Sequence, residues 1–315
     1  MQDFELIYKN ETRFLSLTSL KPAEFDQLLS HFSPISEKYL EYHDVFGKKR
    51  KFQRFSEIKS SSLYGSSAKL FFILIYLKTN TLQELIGTMF DLSQGKVSQW
   101  VKVLLPLLHK SLKKANCMPA TTAEELYERL LQVAQTEKII LHDAVERPVS
   151  RQMDKNNQKD EYSGKQKRHT CKNELVVDTK RIIHFISPTV EGKVHDKKLC
   201  EDLQLKFPQN IALFQDLGYL GYHPQGMEEV FMPIKKIKTT AALGKKEFTE
   251  EELVYNSFVS SVRVTVEHVI GAFQTLRIVR EVIRLKGQEV RDTVAYIAAA
   301  IHNLRNYSRN PKFST

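Results

Sequence analysis

Cysteine is scarce in this chain. Cys117, Cys171 and Cys200 are its only three in 315 residues. An odd count at wide spacing, with no CxxC pair, indicates neither a disulfide framework nor a zinc site. The histidines add no His-x-x-x-His pair, since His142, His169, His184 and His195 stand on separate segments. A long apolar run is also missing. The longest, Leu70 to Leu77, is far too short to span a bilayer, and no signal peptide opens the chain. Gly218 and Gly221 do not form a dinucleotide-binding fingerprint, because no phosphate-binding helix follows them. There is no internal repeat. These absences point to a soluble protein of a reducing, cytoplasmic compartment.

What is present is core-forming residue and positive charge. Hydrophobic residues make up 42% and aromatics 10%, enough to bury real cores over two domains, or one large domain with a smaller attachment. The 47 Lys and Arg against 37 Asp and Glu leave a formal charge of +10, with a pI near 9.3. A polyanionic partner follows, nucleic acid before an anionic membrane.

The first 45 residues read as short helices, with Pro22 suited to a first helical turn. A basic stretch, Lys48 to Arg54 with Phe52 inside it, is either a solvated loop or a phosphate-gripping arm. Ala68 to Lys78 reads as a buried helix. Thr81, with Glu84 three residues on, predicts a capping box opening a helix to Phe90. After the turn at Asp91-Leu92, Ser93 caps a second helix running towards Leu105, which Pro106 should kink or end. Val97, Val101, Leu104 and Leu108 share one face of that helix. Gln94, Ser98, Gln99 and Lys102 point elsewhere, and such side chains can read base edges in a major groove. The pattern fits a helix-turn-helix near 81–105 or an ordinary antiparallel helix pair. Trp100 reads as core.

Beyond a helix at 123–134, apolar strands are expected at 139–142, 169–177 and 181–187, with a hairpin at Asp178-Thr179-Lys180. A helix over about 196–205, a strand at 211–215 and helices at about 253–277 and 289–307 complete the expected order. A basic loop carrying Lys235, Lys236, Lys238, Lys245 and Lys246 precedes the first of those last two helices.

Three acids stand out. Asp143 ends the run Lys138-Ile139-Ile140-Leu141-His142, Asp216 ends Ile211-Ala212-Leu213-Phe214-Gln215, and Glu267 lies in Val262-Arg263-Val264-Thr265-Val266-Glu267-His268. Two carboxylates at strand ends and one on a helix, in a basic chain, suit a hard divalent cation held against a phosphodiester. Around them, His142 to Pro148, Tyr162 to Asn173, Gly192 to Lys198, Gln215 to Tyr222 and Arg263 to Gly271 follow one another as ordered blocks. Together they resemble the IS5-like DDE transposases of the DDE-superfamily-4 type, although Ala144 stands where glycine is expected.

The resemblance implies an α/β, RNase H-like catalytic domain, a mixed sheet flanked by helices, over 137–307. It is preceded by an all-α helix-turn-helix region at 1–113 and a linker helix at 114–136, and followed by a tail at 308–315. It implies Asp143, Asp216 and Glu267 as catalytic, metal-holding residues, with Asp196 of the His195-Asp196 pair as the rival ligand. It implies two divalent ions, Mg2+ or Mn2+. The partner implied is double-stranded DNA, both the transposon's inverted repeats and its target, bound by a homo-oligomer in a bacterial, nucleoid-associated setting without a membrane. Arg147, Lys165, Lys167 and Arg168 are expected to clamp phosphates; Arg263 is expected to orient Glu267 or bind DNA. Tyr219 and Tyr222 are expected in the core. The same residues leave open a domesticated, catalytically silent DNA binder, or a nuclease that does not transpose.

Overall fold

The computed structural model describes residues 4–54, 56–151, 155–227, 229–236 and 247–310. Lys238, Lys245 and Lys246 of the expected basic loop lie outside them, as do most residues of the expected tail. Two compact units emerge, one from residues 1–118, 148–150 and 273–315, the other from 119–147 and 151–272.

The first unit is helical: α1 (Phe4–Lys9), α2 (Glu11–Thr18), α3 (Pro22–Tyr42), α4 (Gly65–Thr79), α5 (Gln83–Phe90) and α6 (Gln94–Lys114). Ten consecutive residues of α4, Ala68 to Leu77, are buried. A helix apolar all round can only sit at the centre, and α2, α3 and α6 pack on it. Gly87 makes the turn after α5 possible. A Cβ there would meet the Leu92 carbonyl oxygen at 2.4 Å, while Asp91 takes a left-handed φ of 52°. Ser93 then caps α6, its hydroxyl accepting from the Lys96 amide.

Two expectations for this region fail. Helix α5 starts after Leu82, which makes no side-chain cap bond, so Thr81 does not open a capping box. Helix α6 also runs through Pro106 to Lys114. The missing backbone bond falls between exposed Lys102 and Pro106, while buried Val101, Leu104, Leu105, Leu108 and Leu112 hold the helix on both sides. The short helices expected at the start include one long one, α3, of 21 residues.

The second unit opens with α7 (Ala123–Val133), capped by Thr122, and continues through β1 (Ile139–Pro148), α8 (Lys155–Glu161), β2 (Tyr162–Ser163), β3 (Arg168–Asp178), β4 (Ile183–Ile186), β5 (Val190–Glu191), α9 (Asp196–Leu203), β6 (Ala212–Phe214), β7 (Glu229–Phe231) and α10 (Glu250–Phe273). Strands order as β2-β3-β1-β6-β7, with β4 and β5 also on β3. Strands β1, β6 and β7 run parallel, while β2, β4 and β5 pair with β3 antiparallel. This is the mixed, helix-flanked sheet expected. The short elements α8, β2, β5 and β7 had no sequence signal.

Helix α7 is not a free linker. Leu126 and Leu130 share a core with Ile140, Val176, Phe185, Phe207 and Leu213, and Ala120 bonds to the backbone of β4. The chain's last helices, α11 (Arg277–Arg280) and α12 (Gln288–Arg309), group with the helical unit. Val294, Ile297, Ala298, Ile301 and Leu304 of α12 are buried, its partners include α6 and α3, and Arg309 bonds buried Glu24. A linker helix would tolerate Leu130→Ala within about 0.5 kcal/mol; a core helix should lose about 2–5 kcal/mol. Urea denaturation followed by far-ultraviolet circular dichroism should show the larger loss.

Candidate active site

The site follows from one register. In the parallel pair β1–β6, Ile139 lies beside Ala212, Ile140 beside Leu213 and Leu141 beside Phe214. One step on, His142 Nδ1 lies 2.9 Å from Gln215 Nε2. Asp143 and Asp216 follow one residue further on, Asp216 just past the end of β6, and the Asp216 charge is felt at Asp143. Alternation then sorts the side chains. Ile140 and Leu213 join the core under α7, and His142 and Gln215 follow on that face. Leu141, Asp143, Phe214 and Asp216 take the other face, where Phe214 meets Phe258 of α10. Strand β1 does not end at Asp143 as expected; it continues to Pro148.

Asp143 pays for this neighbourhood in acidity. Burial raises its pKa most, and the Asp216 charge adds to it, while Arg263 and the Ala144 amide oppose; the carboxyl is pushed up to about 6. Arg263 Nη2 lies 3.2 Å from Asp143 Oδ2. Arg263 thus pairs with Asp143 and not with Glu267, one turn further along α10, which is exposed. Asp216 caps the 3-10 turn Leu217–Tyr219, accepting from the Gly218 amide at 2.6 Å.

Gly218 is where a third acid joins. A Cβ on it would stand 2.7 Å from Asp196 Oδ2 and 2.8 Å from Asp216 Oδ1. Both carboxylates therefore crowd one point, and a larger residue there would have to push one of them aside. Asp196 begins α9 just after its N-cap, His195. Its Oδ1 is 2.6 Å from the ammonium of Lys172, which also donates to the Val194 carbonyl. Among the described residues, Glu267 is exposed, with no hydrogen-bond or ion-pair partner. It stands one helical turn beyond Arg263, close to the side of α10 that meets the sheet. Val266 and Val269 on either side of it take the buried positions.

Of the residues expected at DNA, Arg147 is misplaced. Its side chain is 1% exposed, bonded to Asn173 Oδ1 and Thr189 Oγ1, each at 2.9 Å. Its position in β1 turns it into the interior, so it cannot grip phosphates. Lys165, Lys167 and Arg168 are exposed on the β2–β3 turn. Gln94 and Lys102 are exposed on α6, and Ser98 and Gln99 half-buried. Tyr219 and Tyr222 are buried, and half-buried Trp100 carries the Lys69 ammonium over its ring. Sequence reasoning missed Lys172, Glu174 and Gly218 as site neighbours. A lysine and a glutamate inside an apolar strand were the available signal.

The raised acidity of Asp143 gives a signed prediction for chelator-treated protein. A carboxyl whose folded pKa lies above its unfolded value of about 4 binds more protons when folded. Stability then falls as pH rises through roughly 4 to 6. Asp143→Asn should match wild type near pH 4 and exceed it by up to about 3 kcal/mol at pH 7. Urea melts at both pH values test this, and a less stable variant at pH 7 would refute it.

A probable transposase for insertion sequence element IS702, from Microchaete diplosiphon, is 32% identical over 188 residues, 58% of this chain and 60% of that relative. The chain thus spans less than two thirds of the relative's length. No solved structure matches. Residues 61–114, which contain α4, α5 and α6, match the helix-turn-helix of DDE superfamily endonuclease. Residues 142–303, which contain Asp143, Asp196, Asp216 and Glu267, match the DDE superfamily endonuclease family, and the chain belongs to that family.

Proposed function

We propose that this protein is a DNA transposase that cuts the ends of its element and joins the freed 3′-hydroxyl to target DNA. The observation that carries the reading is the register that sets Asp143 beside Asp216, facing α10. The family implies a divalent metal. The residues fit one: two half-buried carboxylates stand close enough to interact, and burial together with the Asp216 charge pushes the Asp143 carboxyl up to about 6, a cost a bound cation would relieve. Oxygen-only donors select hard ions, so Mg2+ or Mn2+, two of them, is the reading adopted. When bound, such ions activate the attacking oxygen and stabilise the leaving one.

The chain's own residues divide the remaining work. Asp143, central on the sheet, and Asp216 would hold the ions from the sheet side, and Glu267 would supply a third carboxylate from its helix. Arg263 neutralises Asp143 and stands ready to turn to a phosphate when cations take over that role. Asp196 is the rival third ligand, but its bond to Lys172 already engages one oxygen. The helix-turn-helix implies DNA binding; α6, with Gln94, Ser98, Gln99 and Lys102, supplies the base-reading face. The turn bearing Lys165, Lys167 and Arg168 supplies phosphate contacts. Homo-oligomeric assembly on the paired ends belongs to the same reading. No helix among the described residues is long and apolar enough to cross a membrane.

With Mg2+ or Mn2+, the purified protein should nick DNA carrying the element's own inverted repeats and yield strand-transfer products. Alanine at Asp143, Asp216 or Glu267 should reduce both to background; a folded protein inert on cognate ends refutes the reading. Nicking without strand transfer marks a plain nuclease. Glutamine at Glu267 should shrink the rise in melting temperature that Mn2+ produces, and an unchanged rise would give Asp196 the third place. Replacing Lys165, Lys167 and Arg168 together by alanine should weaken binding to all sequences alike. It should also lower the salt slope by about one per lost phosphate contact, measured by fluorescence anisotropy across a salt series.

A further inference from the structure

On the sheet face opposite Asp143, three side chains from β1, β3 and α9 converge. His142 Nε2 lies 3.2 Å from Glu174 Oε2 and 3.6 Å from Cys200 Sγ. One donor atom from each of the three falls within 4.8 Å of the others. All three residues are 0% exposed. Their hydrogen bonding does not close. Glu174 Oε2 accepts from the Tyr219 hydroxyl at 2.6 Å, but Glu174 Oε1 is buried without a partner, as are Gln215 Oε1 and the Tyr222 hydroxyl. A carboxylate wholly out of water needs a counter-charge. His142 Nε2 faces both Glu174 and Cys200: it can donate to the carboxylate or accept from the thiol, but not both at once.

We propose that His142, Glu174 and Cys200 form a second metal site, separate from the Asp143–Asp216 pair, which holds one zinc-class divalent ion as a structural brace. Nitrogen, oxygen and sulfur donors together suit zinc and do not suit magnesium. Tetrahedral bonds of about 2.0–2.3 Å place neighbouring donors on the order of 3.3–3.8 Å apart, close to the two spacings from His142. The ion would tie β1, β3 and α9 together directly behind the catalytic register. Rotating the Gln215 amide end for end puts its unpartnered oxygen on His142 Nδ1–H, which leaves Nε2 free as a donor. The Tyr222 hydroxyl, in the same buried cluster as Cys200 and Tyr219, is the candidate fourth donor. Burial and the nearby acids push the Cys200 thiol far above its usual range. On binding, the S–H bond breaks, its proton passes to solvent and a metal–sulfur bond forms, with no change of oxidation state. Spacing along the sequence excluded a zinc site; the fold assembles this one from residues 32 and 26 positions apart.

Cobalt(II) added to chelator-treated protein in excess Mg2+ tests the site without reference to catalysis. The expected result is one equivalent per chain, with a thiolate-to-cobalt charge-transfer band and tetrahedral d–d absorption, both displaced by one equivalent of zinc. The band should survive Asp143→Asn and disappear in Cys200→Ser, which retains Cys117 and Cys171. X-ray absorption at the zinc edge of the reloaded wild type should show one sulfur among nitrogen and oxygen neighbours, and this reading needs no variant to fold. No charge-transfer band in folded wild type, the same band in Cys200→Ser, or a zinc shell without sulfur would overturn the proposal. Because no DNA is involved, none of these results depends on the transposase reading.

Discussion

The parallel pairing of β1 with β6 is the constraint on which the site depends. Side chains alternate along a strand, so a slip of one residue would turn Asp143 or Asp216 to the opposite face. The register is held by burial on both sides of the sheet. Ile140 and Leu213 are locked into the core under α7, while Leu141 and Phe214 are buried on the α10 face. The apolar residues that fix the pairing thereby bring two like charges together, and a bound cation would relieve the repulsion between them.

Much of this was legible in the sequence. The apolar runs ending near Asp143 and Asp216 identified both strands, because a buried parallel strand reads as a continuous hydrophobic segment. The helical spacing of Val97, Val101, Leu104 and Leu108 located the second helix of the helix-turn-helix. The turn before it was placed at Asp91-Leu92, but not the close packing that lets it form. Its shape depends on the missing Cβ of Gly87, and a close approach to the Leu92 carbonyl leaves no periodic trace.

What escaped the sequence was mostly tertiary. Arg147 reads as a surface cation, yet its place in β1 carries it inward to Asn173 and Thr189. Lys172 and Glu174 sit mid-strand, flanked by buried Cys171, Leu175 and Val176, and their partners lie on α9 and β1, far away in sequence. The pairing of Arg263 with Asp143, in place of the neighbouring Glu267, likewise depends on how α10 crosses the sheet. Helix α7 looked like a connector because its buried face is only two leucines deep, Leu126 and Leu130.

The central claim is that Asp143 and Asp216 together receive a divalent cation. Electron paramagnetic resonance of Mn2+ titrated into the chelator-treated protein at neutral pH measures this directly. The account predicts saturable binding by wild type that is lost in Asp216→Asn with the fold intact by circular dichroism. Equal affinity in wild type and in Asp216→Asn would contradict it.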